Sequence, residues 1–458
     1  MQEWGIILWF LLIGLLMFVA KVLKTWVPGL NKIVIPTALL GGFIGLAISL
    51  IFTPLLTGGA EETFIDVDQM GNIVYHALAI GFIALALKRD DTKIKKKIWS
   101  TGMLITSTYS LQAIIGLLLV LVLFSQNFVG SGLLVALGFG QGPGLAFSIG
   151  SVWDNMLGSS GRIFSALGIS YALLGFLFGG TVGVILINAI ARKRGLDKPK
   201  QFTEEGSSKV TVEIDTVKEI SILDGLTTQG IIIAIIYSLV YLLLFVLEKT
   251  IGNLAGGAVF GLIKGFNFII GILIALLYKK VLRRFEHKGR NIRFMTNNYI
   301  LSNIASLSFN IMITGAVLTI TLEFLAAYGV QLIVTSAIAG VATLFYLRYM
   351  TRIVYPNYSD EYFIGLFGML TGVASTGLAL LKGIDPNLET PVAEEMVLGS
   401  GTAITMAFPL FGILFIPSLT YGSPNPMLWN MVAFFGCLLY TGIFSLILYI
   451  RGKRGVNI

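Results

Sequence analysis

The sequence predicts an all-α polytopic membrane protein with about eleven transmembrane helices and two oppositely oriented re-entrant glycine-rich segments, arranged as an inverted repeat. Three observations predict it. Of 458 residues, 55% are hydrophobic and only 12% charged, with a mean hydropathy of +0.86, against roughly 25% charged residues in a soluble domain. Thirteen apolar stretches recur along the chain, several of them long enough to cross a hydrocarbon core of ~30 Å as helices, and none alternates like a membrane β-strand. Lysine and arginine concentrate in a few short connections, which sets the side of the membrane on which each connection lies.

The first stretch, 4–24, reads as a retained span. It lacks a basic leader and a small-residue cleavage site, and its lysines follow the apolar run. Spans at 34–56, 70–88 and 98–124 follow, separated by an acidic loop at 57–68 and a basic one at 88–97. The stretch at 130–150 is different. Its segment LGFGQGPGLAFSIG (137–150) holds five glycines and Pro143, which makes it a poor spanning helix. A span at 164–191 precedes the only long polar segment, and the second half then shows stretches at 228–247, 254–281, 297–322, 330–350, 362–383, 396–417 and 429–450.

Counting charges decides which stretches cross. If all thirteen did, RKRG (192–195) and the most basic loop, 279–293, would both lie outside, against the positive-inside rule. If 130–150 instead dips in from outside and returns, these two and RYMTR (348–352) fall inside with 88–97. The same move at 362–383, entering from the inside, brings RGKR (451–454) inside as well. The predicted organisation is therefore an N-terminal repeat of five spans and a re-entrant segment (1–192), a cytoplasmic linker (193–227), an inverted C-terminal repeat of the same make-up (228–417), and an additional span with a basic tail (418–458). The N-terminus lies outside and the C-terminus in the cytoplasm. GPGLAF (142–147) aligns with STGLAL (375–380) at an offset of 233.

Several functions are excluded by residue supply. The single cysteine, Cys437, forms no internal disulfide, and two histidines, His76 and His287, cannot build a multi-histidine metal site. The net charge of +8 sits in short loops and reports topology, not nucleic-acid binding. No HExxH motif, paired intramembrane aspartates or Ser/His arrangement points to an enzyme.

Backbone that leaves the helix at membrane depth strands N–H and C=O groups, so it persists only against protein or a water-filled cavity. In return, half-helix N-termini attract anions and freed carbonyls coordinate cations. The two tips, near Phe139–Gly144 and Thr371–Gly377, are expected to meet at the midplane. Gly140, Gln141, Gly142, Gly144, Ser375, Thr376 and Gly377, with Asn310, are the expected solute-binding residues, and Phe139, Ser148, Thr371 and Thr314 the expected Na⁺ ligands. Lys264, a cation within an apolar run, and His76 are further polar residues at depth, and Asp154 and Arg162 mark the outer boundary. The pattern predicts a secondary transporter working by alternating access in the lipid bilayer; the alternative is an ion channel with a filter formed by the re-entrant segments.

The chain also resembles the bacterial sodium:glutamate symporters (the ESS family). The stretches that carry the resemblance are IPTALLGGFIGLAI (35–48), ALAIGFIALALKR (77–89), GFGQGPGLAF (138–147), NIASLSFNIMITGAVL (303–318) and GMLTGVASTGLALL (368–381). The resemblance implies Na⁺-coupled symport of a small organic anion or amino acid such as glutamate, a homodimer, and a place in the inner (plasma) membrane. Where the family has Gly-Gly-His-Gly-Thr-Gly, this chain has Phe139-Gly140-Gln141-Gly142-Pro143-Gly144. Where the family has a Gly-Phe-Gly-Leu-Gly-Ala-Thr-Pro-like run, it has GVASTGLAL without the proline.

Overall fold

Runs of leucine, isoleucine and phenylalanine without strand alternation fold as helix throughout, and the few polar connections supply the caps. The computed structural model describes residues 5–27, 36–57, 65–89, 96–159, 162–194, 216–255, 263–264, 267–288, 295–386 and 388–453. The acidic loop at 58–64, the linker at 195–215 and parts of the basic connections lie outside the described residues. Among those described, all regular structure is helical, and nine helices are long and apolar enough to cross a membrane. None of the nine falls on 130–150 or 362–383.

The chain divides into two compact units, each drawing on both halves of the sequence. The first comprises Met1–Ala20, Thr37–Thr92 and Ser207–Ile320. It holds most of α1 (Gly5–Trp26), α2 (Thr37–Thr57), α3 (Val67–Leu87), α7 (Thr216–Ala255), α8 (Asn267–His287) and α9 (Asn298–Leu318). Asp66 caps α3 by accepting from Asp68 N at 3.1 Å and Gln69 N at 3.0 Å, and Asn297 caps α9 from Tyr299 N and Ile300 N. The core between α3, α7, α8 and α9 is aliphatic: Ile83, Leu87, Ile232, Ile236, Ala275 and Leu301 are buried together. Two expected spans are shorter or more charged than the rest. The described apolar part of α2 runs only Thr37–Thr53, and α8 carries Lys279, Lys280, Arg283, Arg284 and Glu286 in its C-terminal half.

The second unit comprises Lys21–Pro36, Lys93–Gly206 and Thr321–Ile458. Its long helices are α4 (Lys96–Leu123), α6 (Ile163–Arg194), α10 (Leu322–Val354), α13 (Val392–Leu419) and α14 (Pro426–Lys453). Between α4 and α6 the chain is broken: a 3₁₀ turn at Val129–Leu133, a π turn at Ala136–Gln141, a non-helical Gly142, and then α5 (Pro143–Leu157). Between α10 and α13 it is broken again, into α11 (Ser359–Leu370), three residues Thr371–Val373, and α12 (Ala374–Leu381).

Candidate functional site

Gly142 sets the first break. Its φ of 84° and ψ of 176° lie in a region that side chains essentially exclude, and Pro143 then starts α5 at a position where its missing N–H costs nothing. The π turn just before it is the kind of backbone irregularity that recurs at functional sites. At the second break, Val373 is extended (φ −142°, ψ 170°) and α12 begins at Ala374. Neither helix start has a side-chain cap. Normal helical bonding resumes only at Ala146 N, which donates to Gly142 O at 3.3 Å, and at Gly377 N, which donates to Val373 O at 3.1 Å. The N–H groups of Gly144, Leu145, Ala374, Ser375 and Thr376 have no acceptor among the described residues.

The two breaks touch. A β-carbon on Gly142 would lie 2.9 Å from Val373 Cγ1 and 3.7 Å from Gly372 O. Both breaks also lie along α6, whose glycines let backbone approach backbone. A β-carbon on Gly175 would sit 2.6 Å from Thr371 O and 3.2 Å from Phe139 Cδ2, so one glycine of α6 lies against both segments.

Not every expected residue faces this junction in the same way. Phe139, Gly140, Gly142 and Gly144 are buried, and Gln141 is half-buried with no hydrogen-bond partner among the described residues. Ser148 is buried further along α5, and Thr376 is buried while Ser375 is exposed. Thr371 is fully buried, and its hydroxyl donates to Phe367 O at 2.7 Å. Gly377 packs against Met369 and the Gly365 carbonyl inside the α11–α12 hairpin, where a side chain has no room. Asn310 and Thr314 belong to the first unit, where Asn310 is half-buried and the Thr314 hydroxyl donates to Ala38 O at 2.8 Å. In the same unit, Lys264 is exposed and its carbonyl accepts from Tyr75 OH at 2.8 Å, while His76 Nδ1 lies 2.6 Å from Tyr237 OH.

Asp154 has a clear role that its sequence position only hinted at. It is buried and accepts from Phe164 N (2.7 Å), Ser165 N (3.0 Å) and Ser165 Oγ (2.7 Å), tying the end of α5 to the start of α6. Asp385 does the same after the second break, accepting from Glu389 N (3.0 Å), Thr390 N (3.0 Å) and Thr390 Oγ1 (2.6 Å). Each aspartate stands twelve residues after the residue that precedes its helix, Gly142 and Val373 respectively.

Sequence reasoning missed Gln112. The helix that carries it, α4, reads as uniformly apolar when averaged, yet Ser100, Thr101, Thr106, Ser107, Thr108, Ser110 and Gln112 are all fully buried. Gln112 Nε2 donates to Leu370 O at 2.8 Å and to Thr343 Oγ1 at 3.1 Å. A carbonyl oxygen only accepts, so the amide nitrogen must face Leu370, and Gln112 thereby holds the last helical carbonyl before the second break. Its Oε1 is buried without a partner, 2.9 Å from where a β-carbon of Gly140 would stand. One amide thus contacts both broken segments.

Two further polar groups anchor the outer ends of the segments to α6 and α10. Gln331 Nε2 donates to Ser131 Oγ and Tyr171 OH, both at 3.2 Å, and its Oε1 accepts from Asn127 at 2.7 Å. At the start of α11, Asp360 pairs with Arg348 at 2.5 Å and Arg194 at 2.9 Å, and Glu361 pairs with Arg194 at 2.6 Å. Burial alone would raise the Asp360 carboxyl; the hydrogen bonds and charges of Arg348 and Arg194 outweigh it and hold the group below its ordinary value.

The chain matches no protein-family model and no curated protein sequence at a significant level. Its functional reading therefore stands on this geometry and on the motifs in its own sequence.

Proposed function

We propose that this chain is a secondary active transporter that carries a small organic anion or amino acid, glutamate-like, coupled to Na⁺ and working by alternating access. The observation that carries the proposal is the meeting of two uncapped helix starts, which leaves five backbone N–H groups, at Gly144, Leu145, Ala374, Ser375 and Thr376, without an acceptor among the described residues. Helix N-termini are electropositive and bind carboxylates or phosphates without a charged side chain. In a membrane such groups are too costly to leave unpaired unless a cavity or a ligand satisfies them.

In this reading both broken segments are re-entrant, entering from opposite faces, and the two halves of the chain are inverted repeats. The like spacing and hydrogen bonding of Asp154 and Asp385 support the repeat, with a register of 231 residues in this reading against the 233 of the Gly-Leu-Ala alignment. Carriers of the inverted-repeat type place solute and ion at such discontinuous helices near the midplane. The expected Na⁺ ligands Phe139, Ser148 and Thr371 would offer only carbonyl and hydroxyl oxygens, which suit a hard monovalent cation; Thr371 keeps its lone pairs free because its hydroxyl donates to Phe367. The protein would sit in the inner membrane with its N-terminus outside and its C-terminus in the cytoplasm, as a homodimer.

A thermal-shift screen of the purified protein against dicarboxylates and amino acids, in Na⁺ or K⁺, tests this directly. Stabilisation by one solute class that appears only with Na⁺, followed by saturable uptake and counterflow in proteoliposomes, is the expected result. Unitary currents in a planar bilayer would instead establish the channel, and solute stabilisation indifferent to the cation would remove Na⁺ coupling.

A further inference from the structure

Within the first unit, α7 and α8 lie side by side and leave a groove of about 530 Å³ between them. Its exposed walls are aliphatic, Ile231, Ile235 and Leu239 on α7 and Leu277 and Val281 on α8, with the buried Ile232 and Ile236 at its floor and Thr228 and Tyr278 the polar lining side chains. Leu277 and Val281 are one turn apart, and the same helical stripe continues to Arg284 and Lys288, seven and eleven residues after Leu277. Both cations are exposed and have no partner among the described residues. Lys279, by contrast, is buried and donates to Lys88 O at 2.5 Å, and Arg283, also exposed, lies off that stripe, about 100° round the helix from Arg284.

We infer that the α7–α8 groove binds one anionic phospholipid, its acyl chain along the aliphatic walls and its headgroup phosphate against Arg284 and Lys288. The match is one of charge and of length along one axis: an apolar trough whose helical stripe runs on to two exposed cations with no partner among the described residues. Cationic side chains at a membrane surface attract anionic headgroups, and the concave wall between two helices holds an acyl chain that a convex helix face would not. The basic run at 279–293 is the strongest cytoplasmic marker in the sequence, so the lipid belongs to the cytoplasmic leaflet. This inference does not depend on what the protein transports.

Native mass spectrometry of the delipidated full chain, incubated with an equimolar mixture of dioleoyl phosphatidylglycerol and dioleoyl phosphatidylcholine, tests it. The wild type should retain one phosphatidylglycerol with about thirtyfold preference, the scale expected of two surface cations. The double variant Arg284→Gln/Lys288→Gln should lose the preference, Arg283→Gln should keep it, and Ile235→Trp, which fills the exposed groove wall, should lower retention of both lipids. Glycerol phosphate, which has the headgroup charge and no chain, should neither bind nor compete. Equal retention of the two lipids by the wild type (an annular lipid only), a preference that survives the double variant, or effective competition by glycerol phosphate would each overturn the assignment.

Discussion

Replacing Gly142 by alanine probes the junction of the two breaks most directly. Its backbone, at φ 84° and ψ 176°, occupies a region whose use by a side-chain-bearing residue costs about 1–3 kcal/mol. The new methyl would also stand 2.9 Å from Val373 Cγ1; that methyl can rotate aside, so the contact adds less than the strain. Gly158 supplies the control. It too has a positive φ, 64°, but a β-carbon there meets nothing within 4 Å, and the left-handed conformation costs roughly 1–2 kcal/mol. Both variants should therefore lower the unfolding temperature by similar amounts. They should part on solute affinity, measured by ligand-induced thermal shift or isothermal titration with the solute the screen identifies. If the strain is relieved by tilting the start of α5 away from Val373, Gly142→Ala should weaken binding about 5- to 150-fold, the range that 1–3 kcal/mol spans, and Gly158→Ala should leave it unchanged. Unaltered affinity in a folded Gly142→Ala protein would refute the placement of the solute at the paired helix starts.

Gln112→Leu strands the buried Leu370 carbonyl and the Thr343 hydroxyl, so it should destabilise by about 1–3 kcal/mol for each group left unpaired; thermal unfolding that matches wild type would disconnect Gln112 from the second break. Because the folded Asp360 carboxyl lies below its ordinary value of 3.8, its ion pairs contribute fully above that pH and are lost as pH falls through the folded value. The difference in unfolding temperature between wild type and Asp360→Asn should accordingly be constant near neutrality and shrink only in acid below 3.8; a difference that disappears already at neutral pH would contradict the pairing with Arg194 and Arg348. Topology is accessible through single cysteines at exposed positions in a background where the buried Cys437 is replaced. Gln126→Cys and Asn155→Cys should label from the outer face and Asn357→Cys and Glu389→Cys from the inner face, and opposite-face labelling within either pair would mean that the segment crosses. Asp154→Asn and Asp385→Asn, measured by thermal unfolding, should cost comparable stability, each about 1.5–3 kcal/mol per hydrogen bond weakened at a charged acceptor; a large effect at one and none at the other would count against their equivalence.

The helical architecture was legible because a lipid-facing helix must carry apolar residues for about twenty positions, and the first break because Gly-Pro at 142–143 cannot sit inside a helix. The second break has no proline. The charge count singles out 362–383 as a stretch expected not to cross, and the helix is interrupted there at Thr371–Val373. The Gly-Leu-Ala letters align at an offset of 233, whereas Asp154 and Asp385, each twelve residues after the residue that precedes its helix, stand 231 apart; under the proposed repeat the hydrogen-bonded aspartates are the better markers, because Gly-Leu-Ala is common in such compositions. Gln112 was hidden by averaging, since one amide barely moves the hydropathy of a 27-residue stretch. The six buried Ser and Thr residues between 100 and 110 were the available signal: a spanning helix in contact with lipid alone has no use for them. Arg194 and Asp360 are 166 residues apart, and nothing local in either segment announces the partner.

The distribution of polar groups in the second unit separates anchoring from reaction. At their outer ends the broken segments are held by well-paired groups: Gln331 uses both ends of its amide on Ser131, Tyr171 and Asn127, and Asp360 has an arginine on each oxygen, although Glu361 beside it pairs with Arg194 through one oxygen only. Such well-paired groups hold geometry and leave little capacity for a ligand. At the inner ends the accounting reverses. Among the described residues, five backbone donors and one oxygen of Gln112 remain unpaired where the two segments meet. Asp66 and Asn297 cap α3 and α9 in the first unit, whereas α11 and α13 of the second unit, like α5 and α12, start without a side-chain cap; what sets α5 and α12 apart is that their starts meet. Here the residues before the helix starts are Gly142 and Val373, neither of which can cap, so the unpaired donors are a property of the sequence itself. On the proposed reading a carboxylate is their complement, so solute affinity, more than stability, is the quantity that tests Gly142 and its neighbours.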